Sequence, residues 1–230
     1  MPRRRPFRKD LLVWSAFLPV GVLAQAVLGG FTVLYDLAPG FVMSHYLLSM
    51  LILVACVVLD WRAHHEPGEL AAAGAADRLL TRGAWALVPL GAITIFAGTA
   101  ATAAGPHAGG AGTGDVIKRL DFKGADTLSF VIEQHARLAA LLGVVAAVLW
   151  FLARRRGVTS EGRAPLTWLC VLLALQGVIG GVQYKLELPA EIVWVHVTLA
   201  AVTWLAILWV VVAAGRGHVP RPRGEAAPAR

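Results

Sequence analysis

Apolar residues in this chain fall into long unbroken runs that are hydrophobic on every side. The runs cover about 11–30, 41–60, 84–104, 128–152, 165–183 and 190–214. A helix needs roughly 20 mostly apolar residues to cross a bilayer, and each of the six runs is close to that length. Barrel strands would instead alternate polar and apolar side chains over about 10 residues. The pattern predicts an all-α integral membrane protein with six transmembrane helices and the lipid bilayer as its first partner.

One of these runs repeats another. Gln176–His196, QGVIGGVQYKLELPAEIVWVH, aligns without a gap on Gln25–His45, QAVLGGFTVLYDLAPGFVMSH, at an offset of 151 residues. The shared residues include the glutamine, both glycines and the histidine, in register. Apolar runs resemble one another by chance through valine and leucine, but not through such a set, so the chain carries a duplicated unit. Helices five and six repeat helices one and two, while helices three and four precede only the second copy. The expected organisation is two-plus-four, the remnant of a duplicated four-helix bundle, with a first unit that lacks a helix pair. That pair would precede Met1. Residues 1–60 form a helix pair, 61–83 a linker loop, 84–214 a four-helix bundle and 215–230 a disordered tail.

The net charge of +7 sharpens the topology. Sixteen Lys and Arg residues lie in the N-terminal segment, after runs two and four, and in the tail; Lys118, Arg119, Lys123 and Lys185 lie on the other side. By the positive-inside rule both termini are cytoplasmic. The basic residues are therefore topology signals, and nucleic acid is excluded as a partner. Composition agrees, with 57% hydrophobic and 15% charged residues and a mean hydropathy of +0.66. Cys56 and Cys170 both fall within apolar runs and imply no disulfide framework. The first run is a full span without a small-residue cleavage site and does not read as a removable signal peptide.

Candidate chemistry rests on three histidines within the spans, His45, His135 and His196. All sit five to eight residues inside the outer ends of their helices, a common depth of roughly 8–12 Å. Glu133, Gln134, His135 and Arg137 make the fourth run the most polar span. Ionisable groups at that depth are costly, so this cluster is expected to face a protein interior or a cofactor. Arg137, two residues from His135, points elsewhere. Zinc wants four compact ligands and no Cys, Asp or Glu accompanies the histidines at suitable spacing. Haem iron can take one histidine from each side of its plane. On this reading Gly29, Gly30, Gly180 and Gly181 let a neighbour or a flat ligand approach the backbone, and Lys185 or Arg119 could meet propionates. His64 and His65 are read as solvated loop residues beside Glu66, and His107 stands among glycines in a long outer loop.

QGVIGG with its helical histidine, the earlier echo and the outer-loop GPHAGG resemble the haem A synthase family, which serves cytochrome oxidase assembly. The resemblance covers about residues 11–214. It implies an eight-helix protein of two four-helix halves, of which this chain would lack the first two helices, each half with a pair of histidines able to ligate haem. The C-terminal pair, carried onto His135 and His196, would be the axial ligands of a b-type haem cofactor and its iron. His45 would be a ligand of the substrate, haem O, whose ring methyl becomes the formyl of haem A. The family's other N-terminal ligand, its nearby glutamate and its loop cysteine pair would lie before Met1 and have no counterpart here, so the catalytic residues are unknown. The resemblance further implies the bacterial cytoplasmic (inner) membrane, and haem O synthase and cytochrome oxidase as partners. Two other classes remain open. One is a b-type cytochrome carrying electrons through a single bis-histidine haem, and the other is a transporter with a histidine proton relay.

Overall fold

The computed structural model describes residues 7–65, 77–108 and 118–214. It is all-helical among those residues, with six helices long and apolar enough to cross a membrane. They are α1 (Lys9–Leu34), α2 (Pro39–His64), α3 (Arg78–Ala104), α4 (Thr127–Arg155), α5 (Ser160–Lys185) and α6 (Ala190–Ala214). Most helices extend past the apolar runs because backbone hydrogen bonding continues into flanking polar residues. The largest difference is in the 61–83 linker, where α2 runs on to His64 and α3 begins at Arg78. His64 thus belongs to the last turn of α2, its Nδ1 donating to the Asp60 carbonyl. His65 stacks on Trp61 with ring centroids 4.0 Å apart. Met1 lies outside the described residues, and so does the catalytic region expected to precede it. The N-terminal arginines Arg3–Arg5, Glu66, the glycines after Ala108 and the tail with His218 lie outside them as well.

The duplication is visible in the backbone. Shifting α1 by 151 residues gives the bounds of α5, and the same shift carries the start of α2 onto the start of α6. The two tight turns also match. Asp36 and Leu37 have φ of 55° and 54°, and Glu187 and Leu188 have φ of 62° and 64°. Two consecutive non-glycine residues in the left-handed region cost about 1–2 kcal/mol each, so their recurrence marks a retained turn geometry. Leu37 N donates to the Thr32 carbonyl and Leu188 N to the Gln183 carbonyl, both at 2.8 Å, satisfying carbonyls that the helix end would orphan.

Helices α3 to α6 close into a four-helix bundle, each packed on two neighbours, and α2 of the other hairpin docks against α3 and α6. Leu87, Leu169 and Ile207 are fully buried, with Ala146, Leu142, Leu149 and Trp204 around them. In a bilayer such packing replaces the hydrophobic effect as the cohesive force, which favours small residues where helices cross. Gly83 and Gly91 serve this purpose, facing the Leu149 and Ile207 side chains respectively. Caps fix the helix ends. Asp77 accepts from Leu79 N and Leu80 N at the start of α3, and Thr159 Oγ1 accepts from Gly162 N at the start of α5. Before α4, Thr127 Oγ1 accepts from the Phe122 and Lys123 amides and donates to Asp121.

Candidate functional site

The repeated motif has a simple geometric reason. On α1, Gln25 and Gly29 are one turn apart and share a face. Gln25 Nε2 donates to the His45 carbonyl at 3.1 Å, and the missing side chain of Gly29 makes room for the His45 ring. A helical side chain leans toward its own N-terminus. The ring of His45 therefore lies nearer the α1–α2 turn than its carbonyl does, opposite Gly29 rather than Gln25. The second copy repeats the arrangement: Gln176 Nε2 donates to the His196 carbonyl at 3.3 Å and Gly180 faces the His196 ring. A methyl group at Gly29 or Gly180 would stand 3.2 Å from the imidazole Cε1. These two glycines thus accommodate the histidine rings themselves. Gly30 and Gly181 have nothing within 4 Å of the position a Cβ would take.

His135 comes from α4 and meets a glycine that sequence patterning does not single out. A methyl group at Gly98 on α3 would sit 2.9 Å from His135 Cε1. The His135 Nδ1 lies 2.9 Å from the backbone carbonyl of Thr94, one turn away on α3. A carbonyl only accepts, so Nδ1 carries the proton and Nε2 keeps its lone pair free for a metal. Gly98 is legible in the sequence only as part of the small-residue run GTAATAAG, and nothing in its spacing points to a histidine.

His135 and His196 are brought together edge-on, with ring centroids 6.2 Å apart and planes at 77°. An iron bound by both Nε2 atoms at about 2 Å each, with each ring centre about 1 Å behind its nitrogen, requires a centroid separation of about 6 Å. The separation of the pair matches that requirement. Among the described residues no three His, Cys, Asp or Glu side chains come together as a metal-binding group. A bare ion needing four protein donors is poorly served by that set. A porphyrin brings four nitrogens of its own and asks the protein for two.

His45 is not part of this pair. Its Nδ1 is buried without a hydrogen-bond partner, as is the Nδ1 of His196, and the Oε1 atoms of Gln25 and Gln176 are buried and unpaired in the same way. Ser49 adds a contact that the second copy lacks, since Gln25 also donates to Ser49 Oγ, which in turn donates to the His45 carbonyl. The equivalent residue is Ala200.

The expectation that the polar cluster of α4 faces inward is corrected for Glu133, while Arg137 points away from His135 as its spacing predicts. His135 is half-buried toward α3 and α6, but Glu133 and Arg137 are exposed on the outer side of the helix and pair with each other. Spacing of four residues lets the two charges meet on one face, which lowers the cost of each at that depth. His107 is exposed and reaches across the turn end of the bundle, 2.6 Å from the Leu188 carbonyl. Arg119 and Lys185 are exposed at the same end. No family model, curated protein or solved structure matches the chain.

Proposed function

We propose that this chain is a haem-binding membrane oxidoreductase of the haem A synthase kind. The observation that carries the reading is the 6.2 Å separation of the His135 and His196 rings in the interior of a four-helix membrane bundle. A b-type haem held there supplies reversible one-electron iron chemistry. His135 and His196 would hold the iron through Nε2, Gly98 and Gly180 give their rings room, and Thr94 fixes the tautomer of His135. The bundle core beyond the histidines, built from Leu87, Leu142 and Trp204, excludes water from one side of the site. In this proposal His45, in its repeated Gln–Gly frame, is one ligand of a second haem, the substrate haem O. The orientation has both termini cytoplasmic in a bacterial inner membrane, as the basic residues direct, with haem O synthase and cytochrome oxidase as neighbours in the assembly route.

A second reading is favoured by the fact that His45 is not one of the paired rings. A b-type cytochrome with a single bis-histidine haem would need only the C-terminal bundle. Extracting pigment from the purified protein separates the two. Haem A or O beside haem b supports synthesis, haem b alone supports electron transfer, and the absence of haem contradicts both.

A further inference from the structure

His135 and His196 lie side by side but are held unequally. Resting on the bis-histidine haem reading, we propose that His135 is the permanent axial ligand and His196 the exchangeable one. A small neutral ligand such as carbon monoxide then enters on the His196 side.

Packing distinguishes the two rings only by a few tenths of an ångström. Each sets its Cε1 against a glycine of the preceding helix, at 2.9 Å for the Gly98 position and 3.2 Å for Gly180. Hydrogen bonding does distinguish them. The His135 Nδ1–H donates to the Thr94 carbonyl, on a buried residue whose hydroxyl is itself tied to the Leu90 carbonyl at 2.7 Å. Such a partner fixes the ring plane and pushes electron density toward Nε2, and partners of this kind are worth about 10–100-fold in metal affinity. The His196 Nδ1 is buried and has no acceptor, so its Nε2 gains neither advantage.

The neighbourhood of His196 also offers somewhere for the ring to go. Gln176 lies one turn from Gly180 on the face of α5 that meets His196, and its Oε1 is a buried acceptor with no donor. A buried unpaired donor and a buried unpaired acceptor each carry a desolvation cost. Once the ring leaves the iron, a hydrogen bond from Nδ1–H to this Oε1 would relieve both, whereas the His135 Nδ1–H is already paired. Gln25 and His45 carry the same two unpaired atoms, so exchangeability belongs to the repeated unit and permanence to α4.

The test uses the full 230-residue chain in detergent, loaded with ferrous haem b and exposed to carbon monoxide. The His196→Ala variant is expected to keep its haem and bind carbon monoxide at once, while His135→Ala binds haem about 10–100-fold more weakly. The iron–histidine stretch of the five-coordinate ferrous form should lie at higher frequency in His196→Ala than in His135→Ala. Gln176→Leu removes the acceptor of the displaced ring and should slow carbon monoxide entry into a chain that retains both histidines, which covers the case of a single-histidine variant that fails to fold. Equal haem affinities and coincident stretches in the two histidine variants, or unchanged entry in Gln176→Leu, would overturn the inequality while leaving the haem reading intact. A wild-type chain that takes up no haem overturns both.

Discussion

The Tyr46 hydroxyl donates to the carbonyl of Val197 at 3.2 Å, and Val197 is the residue that occupies the place of Tyr46 in the second copy of the repeat. Contact between equivalent positions is what a two-fold relation produces near its axis. The pseudo-axis of this duplicated protein therefore passes between α2 and α6 close to this bond. One turn further along, Trp204 Nε1 donates to the Met50 carbonyl at 3.0 Å and strengthens the same seam.

Replacing Tyr46 with Phe removes one hydrogen bond across the seam and is expected to cost about 1 kcal/mol of stability. Trp204→Phe should cost more, because it also leaves a void in the core around Leu87 and Ile207. Thermal unfolding in detergent measures both, and wild-type stability in the pair would show that the seam contributes nothing.

The glycines give a graded series. Gly98→Ala forces a methyl group to 2.9 Å from the His135 ring and, on the proposed haem reading, is expected to displace that ring and most of the haem. Gly180→Ala, at 3.2 Å from His196, should perturb the haem spectrum less. Gly181→Ala meets nothing within 4 Å and should leave the spectrum unchanged. Haem content per chain after purification orders the three, and a different order would mean that ring clearance is not what these positions provide.

This series also marks how far the sequence can be read. The six spans, the two-plus-four arrangement and the Gln–Gly–His unit follow from hydrophobic run length and from the repeat at 151 residues. The partnership of Gly29 with His45 is within reach because a short turn fixes how α1 and α2 slide past one another. Gly98 and Thr94 are not within reach. The connection between α3 and α4 is long, so the register of the two helices, and with it the residue opposite His135, is set by packing. Glu133 is misassigned by sequence for a related reason: a polar cluster near a candidate ligand reads as one face, although its spacing from His135, like that of Arg137, turns it to the other. His107 stands out in its loop, but its partner Leu188 lies in a different hairpin and no sequence signal links them.

Acid should loosen the end of the bundle where α3 starts and α4 finishes. Burial alone would raise the Asp77 carboxyl, but hydrogen bonds from Arg156 and from the Leu80 and Leu79 amides outweigh it and hold the group below the usual carboxylate range. A depressed carboxylate contributes its stability above the unfolded value, about pH 4, and loses it as pH falls through the folded one. Wild-type protein is therefore expected to lose stability as pH falls below about 4 more steeply than Asp77→Asn, which keeps a capping oxygen but carries no charge. Parallel pH profiles for the two proteins would contradict this.

Topology is open to labelling. Cysteines placed at Glu187, in the α5–α6 turn, and at Ser160, where α5 begins, lie at opposite ends of one span and are both exposed. In intact cells an impermeant thiol reagent should reach the first and not the second, as the distribution of basic residues directs. The reverse pattern would invert the proposed orientation.

The most direct measurement is the reduced absorption spectrum of the purified 230-residue chain beside those of His135→Ala and His196→Ala. The account expects one low-spin haem b per wild-type chain, with a sharp α-band that is lost from both variants, while His45→Ala retains it. A wild-type chain free of haem, or an α-band that survives in both variants, would contradict the assignment of His135 and His196 as the two sides of one haem site.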